Sequence, residues 1–69
     1  MIELTFNQAD CIRHWRCVLG YSWRGVARIA YDNFPELRDS ISNGNQISGI
    51  QLCESAQKFF NEPTEKGWN

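Results

Sequence analysis

The stretch YSWRGVARIAYDNFP, residues 21–35, decides the fold. Ser22 can cap a helix start, and Tyr21 and Val26 stand at the spacing of a hydrophobic staple around it. At about 100° per residue, Trp23, Val26, Ala27, Ala30, Tyr31 and Phe34 fall on one continuous face. Arg24 and Arg28 stand one turn apart on the opposite side, followed by Asp32. Pro35 has no backbone N–H to extend the ladder and biases Phe34 away from helical dihedrals. The stretch therefore predicts an amphipathic helix over residues 22–34.

Towards the N-terminus, MIELTF alternates apolar and polar, with Ile2, Leu4 and Phe6 on one side. A lone strand needs a partner, so this segment is either an extended arm lying on helices or an edge that pairs with another chain. The arm is the favoured reading. Asn7 reads as the next N-cap, with Phe6 and Cys11 at the staple positions and Asp10 suited to the positive helix end. Cys11, Ile12, Trp15, Val18 and Leu19 then form an apolar stripe, with Arg13 and Arg16 opposite it. Gly20 supplies the left-handed residue that closes a helix over residues 7–19.

Towards the C-terminus, PELRDSI predicts a short helical turn that carries Leu37 and Ile41 inward. SNGN breaks it, because Asn-Gly favours positive φ. A hairpin pairing DSIS with NQIS across that turn is the weaker alternative, supported only by Ile41 and Ile47. A last helix over residues 45–60 starts at Asn45 or Gln46. It gathers Gly49, Leu52, Cys53, Ala56, Phe59 and Phe60 on one face, with Ile50 at its margin. A mid-helix glycine costs about 1 kcal/mol in propensity, so Gly49 is expected to permit a close helix crossing, against Ala27 or Ala30. Trp68 is too large an apolar group to leave loose and is expected to dock back from a polar tail, residues 61–69. The whole reads as an all-α, three-helix bundle with an extended N-terminal arm, residues 1–6.

Sixty-nine residues make one small domain, which buries only roughly 60% of the surface its unfolded chain exposes. The formal net charge of −1 argues against a strongly basic nucleic-acid binder. It hides an asymmetry, however. Residues 1–30 carry Arg13, Arg16, Arg24 and Arg28 against Glu3 and Asp10, whereas residues 31–69 carry Arg38, Lys58 and Lys66 against six acids. No apolar run approaches a secretory core or a membrane span, so no membrane association and a cytoplasmic location are expected. Three cysteines at irregular spacing fit reduced thiols rather than a disulfide framework.

Chemistry-bearing patterns are sparse. Cys11, His14 and Cys17 give a Cys-x-x-His-x-x-Cys run that invites a zinc reading. Residues six apart on a straight helix are separated by roughly 9 Å of rise, whereas sulfurs on one zinc lie within roughly 4 Å of each other. Cys11 and His14 with Cys53 would still lack a fourth ligand, so no metal and no cofactor are expected. Cys17 lies off the apolar stripe and is the thiol expected to react or cross-link first. The single histidine has no acid or nucleophile placed to couple with it, and no glycine-rich phosphate loop is present. An enzyme is therefore not expected.

Binding remains. SWRGVARIAYDNF resembles the first helix of a helix-turn-helix motif, with Val26 and Ala27 at the close-contact places. It departs from the motif at Tyr31, where a turn glycine would fall, and in the long link from Phe34 to Gln46. The run from SWRGVARIAY to NQISGIQLCESAQKFF is also similar to small bacterial and phage proteins. The first resemblance implies duplex DNA as the partner. Ser48, Gln51, Ser55 and Lys58 of the last helix would face the bases and phosphates, and Arg13, Arg16, Arg24 and Arg28 would add phosphate contacts. Glu54 on that side would repel the backbone. The alternative is a non-catalytic inhibitor or adaptor acting on a host or partner protein. There, Trp15 or Trp23 beside Arg16 or Arg24 would serve as an anchor, since Trp and Arg dominate interface hot spots. A homodimer through residues 2–6 or Cys17 is a further possibility.

Overall fold

The computed structural model describes residues 2–69; Met1 of the expected arm lies outside them. Three helices build the fold: α1 (Phe6–Arg13), α2 (Trp23–Asn33) and α3 (Gln46–Phe60). α3 packs against both others, and no strand occurs among the described residues. The expected all-α three-helix bundle is thus the architecture. The hairpin alternative falls away, because residues 35–45 form a 3₁₀ turn (Pro35–Leu37) followed by turns and bends that bury Leu37 and Ile41.

The N-cap of α1 lies two residues before the cap expected at Asn7. Thr5 is the N-cap: its side chain accepts from Gln8 N–H, and the Gln8 side chain accepts from Thr5 N–H, a reciprocal capping box. The Thr-x-x-Gln spacing was the sequence signal for it. Gln8 is buried, and its amide donates to Glu36 at 2.9 Å, tying α1 to the segment after Pro35. Asn7 lies inside the helix, and Phe6, as its first residue, faces solvent.

The helix expected to run unbroken to Leu19 changes type. His14–Val18 form a π-helical turn, closed by Leu19 N–H donating to His14 C=O at 3.0 Å. The wider turn breaks the 100° stripe. Ile12 stays buried and Trp15 half-buried, but Val18 is 62% exposed and Leu19 is exposed beside it. Gly20 takes a left-handed φ of 73°, and the chain turns into α2.

Ser22 caps α2 by accepting from Gly25 N–H, and of its expected buried face Val26, Ala27, Ala30 and Phe34 are buried while Trp23 and Tyr31 are half-buried at its margins. Asn45 caps α3 in the same way, accepting from Ser48 N–H. Gly49 permits a close crossing, but its neighbour is not Ala27 or Ala30. A Cβ there would run into the backbone carbonyl of Trp23 and stand 3.0 Å from Trp23 Cα. The first turns of α2 and α3 therefore meet backbone to backbone.

The core is one cluster, centred on Ile12, Val26, Ala30, Leu52, Cys53 and Ala56 and closed by Phe34, Leu37, Ile41 and Trp68. Ile2 and Leu4 of the arm pack against it half-buried, so the arm lies on the helices. Asn61 ends α3 in a left-handed conformation, and the tail folds back through a 3₁₀ turn (Thr64–Lys66). Trp68 is buried, as its size demanded. No helix among the described residues is long and apolar enough to cross a membrane.

Candidate functional site

The eight residues expected to meet a nucleic acid do not share one free surface. Ser48 is 2% exposed and Ser55 is 5% exposed, which corrects their placement on the outer side of α3. Both hydroxyls are used internally. Ser48 Oγ accepts from Ser42 N–H at 2.9 Å and pins the turn before α3, and Ser55 Oγ accepts from Ile2 N–H at 3.0 Å and pins the arm. Arg13 is bidentate to Glu62, with both N–O distances 2.8 Å. Arg16 donates to the Tyr21 and Asn69 carbonyls and lies 4.8 Å from the Trp23 ring centroid. Its Nε is buried with no partner. The expected Arg16–Trp23 neighbourhood exists, but as an internal clasp. Arg24 and Arg28 on α2 and Gln51 and Lys58 on α3 remain exposed.

Arg28 lines a shallow cleft of about 300 Å³ with Tyr31, Asp32, Asn43 and Gly44. A smaller one of about 180 Å³ lies between Glu54, Gln57, Lys58, Asn61 and Glu62. Neither gathers a nucleophile with a base, and His14 stands exposed apart from both. Among the described residues, no three His, Cys, Asp or Glu side chains converge as a metal site.

The thiols are set apart by burial. Burial pushes Cys53 up to about 12. Cys17, expected to be the readiest thiol, is half-buried under the tail, where a Cβ on Gly67 would stand 3.2 Å from its Cα. Burial raises its pKa too, so it holds less thiolate than an ordinary cysteine.

The most conspicuous surface feature lies where the start of α1 meets the end of α3. Phe6, Phe59 and Phe60 form a cluster of three rings: the Phe6–Phe59, Phe6–Phe60 and Phe59–Phe60 centroids are 6.2, 5.9 and 5.2 Å apart. Phe60 packs against the core and carries the Arg13 guanidinium 5.7 Å from its centroid. Phe6 is 65% exposed and Phe59 is 46% exposed, contrary to the buried placement expected for Phe59. The signal lay in the pair itself. Adjacent helical residues diverge by about 100°, so Phe59 and Phe60 cannot both face one core.

Comparison of the chain with protein-family models, curated proteins and solved structures finds no significant match.

Proposed function

We propose that this protein is a non-catalytic protein-binding module that docks a partner through Phe6 and Phe59. The observation that carries this reading is the ring cluster: Phe60 edge-to-face with both Phe6 and Phe59, which tilt against each other, with those two rings left in water. Such rigid aromatic groups lose little entropy on binding and are typical interface anchors. Together the two exposed rings offer roughly 200 Å² of apolar area, against about 800 Å² per partner in a stable protein interface. An obligate dimer with a second copy would need a larger apolar face. The fitting occupant is a partner protein, bound weakly and transiently, that lays an apolar side chain across the exposed faces of the two rings.

Affinity capture with the wild type and with a Phe6→Ser, Phe59→Ser double variant tests the proposal. It expects a partner that the wild type retains and the double variant loses, with the loss reproduced using the purified partner. Equal retention by a folded double variant sinks it.

Duplex binding is the second reading, supported by Arg24 and Arg28, which stand exposed one turn apart on α2 with no acid within ion-pair distance among the described residues. Two phosphate contacts give a salt slope near −2 on logarithmic axes. An amide NMR titration with random duplex DNA at low and raised salt separates the readings. Salt-reversible shifts at Arg24 and Arg28 that Arg24→Glu, Arg28→Glu removes favour DNA; silence there favours the ring cluster.

A further inference from the structure

We infer that the tail, residues 61–69, controls the aromatic docking surface through one carboxylate, Glu62; this rests on the ring cluster being the docking site. Glu62 is shared between the two. Its Oε1 accepts from the Trp68 indole N–H at 3.1 Å and from Arg13 Nε at 2.8 Å, and its Oε2 accepts from Arg13 Nη2 at 2.8 Å. Arg13 in turn lies on the Phe60 ring, and Phe60 makes edge contacts with both exposed rings. A continuous path therefore runs from Trp68 through Glu62, Arg13 and Phe60 to Phe6 and Phe59. Each link is a direct contact.

The tail is built as a closed strap. Asn61 reverses the chain in a left-handed conformation, and the Gln57 side-chain amide bonds Glu62 C=O and Thr64 Oγ1. Trp68 enters the core, Gly67 lies on Cys17, and Arg16 holds the Asn69 carbonyl. When the strap opens, Trp68 returns to water and Glu62 leaves with it. Arg13 then loses the carboxylate that fixes its fork, and its cation is no longer held over Phe60. The ring cluster repacks. Closed and open strap are the two states that coupling requires, and a partner that prefers the closed arrangement of rings must by linkage also favour strap closure.

The test uses Glu62→Gln, which removes the charge, and Trp68→Ala, which removes the anchor while leaving Glu62 and Arg13 chemically intact. Strap opening is read from exchange protection at residues 64–69 and from thiol labelling of Cys17. Patch geometry is read from the ring resonances of Phe6 and Phe59. We expect both variants to open the strap and move both sets of ring resonances, with Cys17 labelling faster. Partner affinity should fall at least about fivefold, the low end of coupling between sites. Released tails with unmoved rings overturn the coupling, and so do tails that stay closed in both variants. Failure of the docking reading shows separately, as undiminished binding by the Phe6→Ser, Phe59→Ser variant.

Discussion

The backbone of Gly49 rests on the carbonyl of Trp23, one helix against the next with no side chain between them. That contact sets the spacing of α2 and α3 at their first turns. A methyl group has no room there, since it meets a backbone carbonyl and not the end of a flexible chain. Gly49→Ala gains about 1 kcal/mol of helix propensity but must push the helices apart, at a cost of about 3 kcal/mol or more. A net loss of about 2 kcal/mol lowers the melting temperature of a domain this size by roughly 8–16 °C. An unchanged or higher melting temperature in a calorimetric scan refutes the crossing.

The exposed rings should contribute little to folding. Phe59→Ala is expected to cost less than about 1 kcal/mol, as surface changes do, whereas Leu52→Ala, wholly buried, should cost about 2–5 kcal/mol. Urea titrations of the two variants compare them directly. Equal losses would mean that Phe59 belongs to the core and leaves nothing free for a partner.

Acid should loosen the tail. The hydrogen bonds from Arg13, with a further bond from Trp68, hold the Glu62 carboxyl below the usual carboxylate range. A carboxyl depressed on folding contributes stability that is fully present above its unfolded pKa, about 4.3, and lost as pH falls through its folded value. The charged groups around it are Arg13 on α1, Lys66 in the tail, and Glu54 and Lys58 across the small cleft on α3. Exchange protection of the Trp68 indole N–H should hold at neutral pH and fall on acidification below about pH 4. In Glu62→Gln that acid step should vanish. If it persists unchanged, another group carries it.

The thiols should separate in rate. With Cys53 pushed up to about 12 by burial, it should label only on global unfolding. Cys17 should label under native conditions but slowly, as the tail lifts from it. Mass spectrometry of a timed alkylation resolves the sites. Early modification of Cys53 contradicts the burial, and immediate modification of Cys17 contradicts the closed tail.

Most of the bundle could be read from residue order because its helices carry local signals. Ser22 caps where expected, α3 starts at Gln46, one of its two expected starts, Pro35 ends α2, and the Val26–Ala27–Ala30 face turns inward. The candidate site was far less legible. Ser48 and Ser55 look like outward polar residues on α3, and only the arrival of Ser42 and Ile2 from distant positions makes them internal acceptors. Arg13 looks like free surface because Glu62, its partner, is 49 residues away. Phe6 was misplaced for a local reason: with Asn7 read as the cap, Phe6 fell in the arm, whereas the Thr5–Gln8 capping box makes it the first residue of α1.

The wide turn at His14–Val18 amounts to one residue more than an ordinary helix needs to cover the same rise. In the language of sequence change it is a tolerated insertion, absorbed inside a helix instead of being expelled as a loop. Deleting one residue there would restore an unbroken α-helical winding and leave Gly20 and the entry to α2 close to their present heading, whereas a residue removed from an ordinary stretch of helix would swing everything after it by about 100°. The spare residue is thus slack held within the winding: the helix carries it without passing its rotation on to the rest of the bundle.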